Sequence, residues 1–378
     1  MYLTAWPSWP AGTAHLAELL SNTLMASSQP SLTALEWEDL LGQARRSRLL
    51  ARLACHASSW PGGLAALPVP QRDHLVGAMR LVQRQRRDVL AELSLMRESL
   101  RSTSVPVVLL KGAAYLLADL PPSKARVFSD MDILVDRRHL DETEMALLAS
   151  GWVSQERDAY NQRYYREWMH EVPPLEHVQR GSVIDLHHTI SPPTSRFKVD
   201  GALLLQRIRP VGSSGFYILA PEDMVLHSAV HLYQEGEFDH GLRDLLDLHD
   251  LLLHFAVDSA FWSRLLARAA ELRLGEPLYM LLQQRQQLLG VCPPAEHQPA
   301  VGALKPTWLT RWCVSALLSR ALRPRHPACD TWHSELARHL LYARSHHLRM
   351  PLHLLIPHLI RKAYMARFGH RTQARMQA

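Results

Sequence analysis

The sequence of 378 residues predicts an α+β protein: a short α/β segment carried between two longer helical ones. Three observations predict it. Across residues 1–102 apolar side chains recur every three or four positions, the period of a helix with one buried face. Across residues 103–220 that rhythm gives way to short apolar runs, VPVVLL, MDILV and SVIDLHH, set off by turn-forming residues. From Pro221 onward, over 221–378, the helical period returns.

Taken in order, helices are expected from Thr13 to Ser102, in LTALEWEDLLGQARRSRLLARLACHA and QRDHLVGAMRLVQRQRRDVLAELSLMRESL. The Pro/Gly-rich SSWPGGLAALPVP separates the two. VPVVLL reads as a buried strand and KGAAYLLADL as a helix. MDILV is a second strand, and LDETEMALLASG a helix closed by Gly151. PLEHV and SVIDLHH read as two strands across a turn at Arg180–Gly181. Pro221, Glu222 and Asp223 suit a helix's first turn. HGLRDLLDLHDLLLHF, LARAAELRLG and PLYMLLQQRQQLLG continue with helical spacing. Trp6, Trp9, Trp37 and Trp60 are dispersed, as core or interface anchors are.

Composition narrows the function classes. With 47% hydrophobic and 21% charged residues, the chain is of ordinary globular type and long enough for a well-buried core. A net charge of +6 allows an anionic partner without requiring one. No dense basic run with interleaved aromatics occurs in the first 300 residues, so nucleic acid is not the favoured partner. Cys55, Cys292, Cys313 and Cys329 form no CxxC and are expected as reduced thiols. MYLTAWPSWPAG has neither the basic nor the long apolar region of a signal peptide, and no apolar run reaches bilayer length. A cytoplasmic location is expected. From Leu336 onward there is no Asp or Glu but eight Lys/Arg. That ending is expected to pack as a basic helix; a contact with an acidic partner or a membrane surface is the alternative.

Chemistry concentrates in RVFSDMDILVD, Arg126 to Asp136. Side chains alternate along a strand, so Asp130 and Asp132 share one face while Met131 and Ile133 take the other. Two carboxylates about 7 Å apart on one face repel unless a cation lies between them. Gly112, in the strand-to-helix junction LLKGAA, would let a phosphate approach the backbone, with Lys111 adding positive charge. GxxxxGK[ST] is absent, so this is not a P-loop. Asp185 in SVIDLHH, on a neighbouring strand, can join the pair. Three carboxylates from two strands suit two Mg²⁺ ions and in-line phosphoryl displacement. The DMDIL string is not the phosphatase DxDx[TV] motif, because Leu134 fills its fifth position and RVFS is not a buried apolar strand. His227 and His231 lie four apart without an HExxH glutamate and are expected as core or helix-surface residues.

The order strand–KG–helix, then RVFSDMDILV, then IDLH on a later strand resembles the uncharacterised bacterial nucleotidyltransferase family of the DNA polymerase β-like superfamily. LRDLLDLHDLL, Leu242 to Leu252, is similar to that family's C-terminal portion. The resemblance covers Ser94 to Leu253. It implies a small mixed β-sheet nucleotidyltransferase core flanked by N- and C-terminal helical segments. It makes Asp130 and Asp132 the metal-binding pair, with Asp185 completing the site and helping to deprotonate the acceptor. Lys111 and Gly112 fall where the superfamily's Gly-Ser loop meets the triphosphate. The serine of that loop is missing here, and seventeen residues separate Gly112 from Asp130. Arg126 and Ser129 match a recurrent R-x-x-S; Arg126 would either bind nucleotide phosphates or brace the loop. His187 matches the D-L-H histidine, orienting the carboxylate or assisting proton transfer. Arg243 would either pair with Asp247 at i,i+4 or face the substrate.

The expectation is therefore a two-metal enzyme using Mg²⁺ or Mn²⁺ that moves AMP from ATP to an acceptor hydroxyl. The acceptor would be a small molecule or a peptide or protein. Two alternatives are a catalytically silent nucleotide-binding scaffold and a nucleic-acid 3′-end nucleotidyltransferase.

Overall fold

A computed structural model describes residues 18–376. The expectations for Thr13 to Ala17, for Trp6 and Trp9 and for the N-terminal dozen residues lie outside that range. The first helices are α1 (Leu19–Met25), α2 (Ala34–Arg46), α3 (Leu50–Ala57) and the long α4 (Val69–Ser99). Helix α2 starts where Thr33 and Glu36 form a reciprocal capping box. Trp37 and Trp60 are both buried, their rings edge to face at 6.3 Å.

The α/β segment follows: β1 (Val108–Leu109), α5 (Lys111–Leu117), β2 (Met131–Leu134), α6 (Leu140–Ala149), β3 (Trp152–Ser154), α7 (Ala159–Arg163), β4 (Leu175–His177) and β5 (Val183–His187). After them come α8 (Gly201–Leu205) and two short strands, β6 (Arg209–Pro210) and β7 (Tyr217–Ile218). Among the described residues these strands form one mixed sheet in the order β3-β4-β5-β2-β1-β7-β6. β2 runs parallel to β5 and β1 parallel to β7; the other neighbours are antiparallel. The expected α+β class, with helices on both sides of a small mixed sheet, is the class observed.

The C-terminal helices are α9 (Pro221–Gln234), α10 (Gly241–Phe255), α11 (Phe261–Glu271), α12 (Gly275–Leu289), α13 (Gln298–Ala303), α14 (Trp308–Ala321), α15 (Trp332–Arg349) and α16 (Leu352–Met376). Helix α12 stops at Gly290, whose φ of +69° is cheap for glycine alone. One continuous apolar core runs from Leu19 on α1 through Ile133 and Leu186 in the sheet to Leu348 on α15. Two ion pairs stitch the helical segments: Arg268 on α11 meets Asp223 on α9 at 2.6 Å in the interior, and the half-buried Arg52 on α3 reaches Asp250 on α10 through two bonds of 2.6 Å. The basic ending is helical, as expected, and its first turns pack on residues 158–164 through the stacked rings of His358 and Tyr164, 4.4 Å apart. Among the described residues no helix is long and apolar enough to cross a membrane.

Candidate active site

The β2–β5 ladder sets the site. In its register Asp132 stands directly opposite Asp185, and Leu134 opposite His187. Alternation then puts Asp132, Asp185 and His187 on one face, while Met131, Ile133, Ile184 and Leu186 fill the core. Parallel strands lie about 4.8 Å apart, so the two carboxylates are neighbours by construction. Asp130 sits one residue before β2, exposed, and accepts a 2.7 Å bond from the Ser129 hydroxyl. The Asp130–Asp132 pair is thus one buried and one open carboxylate rather than two equivalent ones.

Asp132 is the hub. Its Oδ1 accepts from Lys111 Nζ at 3.3 Å and from His187 Nε2 at 3.1 Å. Burial by itself would raise the Asp132 carboxyl, but Lys111 and the His187 bond hold it well below the usual carboxylate range. For Lys111, burial works toward a lower value, and Asp132 followed by Asp130 reverses that and raises it. Lys111 begins α5 with φ +42°, a left-handed geometry that costs a non-glycine residue about 1–2 kcal/mol. That turn, between β1 and α5, places the ammonium on Asp132.

Asp185 has the opposite character. Burial first, then the charges of Asp132 and Glu171, push its carboxyl up to about 7. Its Oδ1 is buried and has no hydrogen-bond partner. A buried orphan oxygen beside a second carboxylate is costly in the protein alone and is satisfied by a cation. The residues present therefore fit the divalent ions that the sequence implies.

In front of Asp130 and Asp132 opens a cavity of about 270 Å³. Lys111, Gly112, Arg126, Ser129 and Arg243 all line it, so five of the sequence-derived candidates converge with the acidic pair. Asp185 and His187, beside Asp132 on the parallel strand, are not among the residues of its wall. Gly112 is tight against the loop: a Cβ there would lie 3.3 Å from Arg126 Nε and 3.4 Å from Phe128. The seventeen residues between Gly112 and Asp130 include a 3₁₀ turn at Pro121–Lys124 that packs on α10.

Arg126 donates to Asp247 of α10 and lies 3.5 Å from Asp244. Arg243 instead bonds Asp244, at 2.7 and 2.9 Å. The i,i+4 pairing of Arg243 with Asp247 is therefore not formed, because Arg126 from the loop claims Asp247. Bracing of the loop by Arg126 is what the geometry shows, while its flank still faces the cavity. His227 is buried on α9, and His231 lies at the cavity 3.4 Å from Glu235.

Several residues had no sequence signal. Arg48, at a φ of +56° between α2 and α3, and Tyr115 and His240 join the cavity wall through tertiary packing alone. Glu171 bridges to His187 across the end of β5, with Glu171 Oε2 3.5 Å from His187 Nδ1. His170 follows, its ring 5.1 Å from that of His187. An isolated two-residue bridge has no period for a sequence pattern to reveal.

A mixed sheet thus carries one aspartate on a central strand, a second just before it and a third on the parallel neighbour, with a cavity of cations and carboxylates in front, and its class is that of the nucleotidyltransferases. The chain belongs to the uncharacterised nucleotidyltransferase family, whose sequence model matches residues 33–290. No curated protein and no solved structure matches it.

Proposed function

We propose that the protein transfers a nucleoside monophosphate from a nucleoside triphosphate, ATP by preference, to a hydroxyl of a small molecule or peptide. The observation that carries this reading is the register setting Asp185 against Asp132 with one oxygen unpartnered, beside the cavity. In the step, the acceptor oxygen bonds the α-phosphorus, the bond from that phosphorus to the β-phosphate oxygen breaks, and pyrophosphate leaves. Two Mg²⁺ or Mn²⁺ ions, held by Asp130, Asp132 and Asp185, would neutralise the triphosphate and acidify the acceptor hydroxyl.

The chain's own residues do the rest. Lys111 and Arg243 present positive charge to the cavity in which the phosphates would lie, and Gly112 leaves room for them. Arg126, pinned by Asp247, fixes the loop that carries Ser129 and Asp130. Asp185, the third carboxylate beside Asp132, would complete the ion site and so help to draw off the acceptor's proton. His187 holds Asp132 in place through its Nε2–H.

The test is a titration with a non-hydrolysable ATP analogue with and without Mg²⁺, followed by a structure of the complex. Metal-dependent binding with the triphosphate at Asp130 and Asp132 is expected. Binding that ignores both Mg²⁺ and the Asp130→Asn substitution would overturn the proposal.

A further inference from the structure

Beside the aspartates lies a second set of donor atoms, none of which has a role in the transfer reaction proposed above; His187 serves that reaction only through its other nitrogen. His170, Glu171 and His187 each offer one ligand atom, and the three atoms lie within 4.8 Å of one another. Glu171 Oε2 is 3.5 Å from His187 Nδ1 and 3.8 Å from His170 Nε2. Ligands around a tetrahedral zinc ion, at bonds of about 2.0–2.1 Å, are spaced by roughly 3.3 Å. The two spacings to Glu171 are slightly wider and all three lie within 4.8 Å, so an inward turn of the side chains closes the set.

The local chain explains why these atoms meet. Glu171 sits opposite His187 in an antiparallel bridge, so both side chains leave the same face. Backbone bonds from Val172 N to Leu186 O and from His188 N to His170 O, of 3.0 and 2.9 Å, clamp residues 170–172 along the end of β5. His187 is 2% exposed in its side chain, and its Nδ1, the nitrogen that faces Glu171, has no hydrogen-bond partner. Fully buried polar atoms without partners are rare and call for an explanation.

The other nitrogen of His187 supplies a further argument. A carboxylate can only accept, so Nε2 carries the proton in the 3.1 Å bond to Asp132 Oδ1. That leaves the Nδ1 lone pair facing Glu171. A histidine whose far nitrogen donates to a carboxylate is the arrangement that fixes the tautomer and raises basicity in metal-bound imidazoles.

From this juxtaposition we infer that the protein binds one divalent transition-metal ion, of the zinc class, through His170, Glu171 and His187. Two imidazoles and one carboxylate select such an ion over Mg²⁺, which prefers oxygen ligands and keeps its waters. Three protein ligands leave a coordination position open. The site is separate from the aspartate set and does not depend on the transfer reading, although Asp132 touches both through His187.

Cobalt(II) is the probe, since its visible absorption reports nitrogen ligation. The full-length protein is stripped with a chelator and titrated with Co²⁺ in the presence of excess Mg²⁺. One equivalent should bind with intense visible bands, and added Zn²⁺ should displace it. His170→Gln and Glu171→Gln should each weaken binding at least tenfold, while Asp130→Asn leaves it unchanged. Urea unfolding of each variant in chelator separates lost ligation from lost fold. Absence of stoichiometric Co²⁺ binding to the wild type overturns the inference, whatever the transferase assay gives. So does binding that excess Mg²⁺ abolishes, or that disappears in Asp130→Asn but survives in Glu171→Gln.

Discussion

Replacing Asp185 by Asn should make the metal-free protein more stable while removing transfer. The Asp185 carboxyl titrates at about 7 because it is buried beside Asp132 and Glu171. In the unfolded chain it titrates near 3.9, a difference of roughly three pH units at 1.36 kcal/mol each, so the ionised group costs the fold up to about 4 kcal/mol. Since the folded value is the raised one, this cost is absent below about pH 4, grows as pH climbs toward about 7, and is constant above. Asparagine carries no charge but leaves a buried polar atom unpartnered, which returns about 1–3 kcal/mol of cost. The net gain is about 1–3 kcal/mol at alkaline pH. Urea unfolding in chelator is the assay, read at several pH values. The advantage of Asp185→Asn over wild type should grow by about 2 kcal/mol between about pH 5.5 and about pH 8. Saturating Mg²⁺ should reverse the ranking, because the wild type, with all three carboxylates, gains more by binding. A difference that does not grow with pH, or a variant less stable in chelator at every pH, would refute the assignment of Asp185 as a strained, cation-seeking carboxylate.

Other outcomes follow from the same geometry. Asp130→Asn should abolish pyrophosphate release with unfolding midpoints close to wild type, because Asp130 is exposed. Asp132→Asn should abolish it too, but at a cost of about 3–5 kcal/mol, since Lys111 and His187 then face a neutral partner in the interior. Mg²⁺ affinity, measured by calorimetry, should rise about tenfold per pH unit up to about 7 and level off above, as Asp185 gives up its proton on binding. Arg126→Ala should destabilise by about 3–5 kcal/mol in urea by stranding Asp247, and adding Asp247→Asn should recover part of that loss.

The helices α2 to α6 and α9 to α12 were legible in the sequence because their apolar periods are long, and β1, β2, β4 and β5 because each lies in an apolar run bounded by turn-forming residues. The run VPVVLL is longer than the two residues of β1, while β3, β6 and β7, of two or three residues, and the five-residue helices α7 and α8 carry no such run or period. The acidic pair and the third carboxylate were legible as a pattern, DxD followed by IDLH. Their ranking was not: which aspartate is buried, which is open and which is orphaned is decided by neighbours from distant parts of the chain. Lys111 shows the same limit. Its sequence context suggested a place for phosphate, whereas the left-handed turn at its own backbone directs it to Asp132. Arg126 and Asp247, more than a hundred residues apart, form a contact that no local spacing could announce.

That last contact has a bearing on how such a protein can be dissected or recombined. Arg126 of the α/β segment is held by α10, and α10 is held in turn by Arg52 of α3. Each junction is an ion pair whose halves come from different stretches of the chain, so excision of residues 103–220 would part Arg126 from Asp247 and dissolve the cavity wall from Arg48 to Asp247. The α/β segment alone is therefore not a minimal fragment of this fold. The portable unit, for gene fusion or for exchange between relatives, runs at least from Arg48, just ahead of α3, through α10.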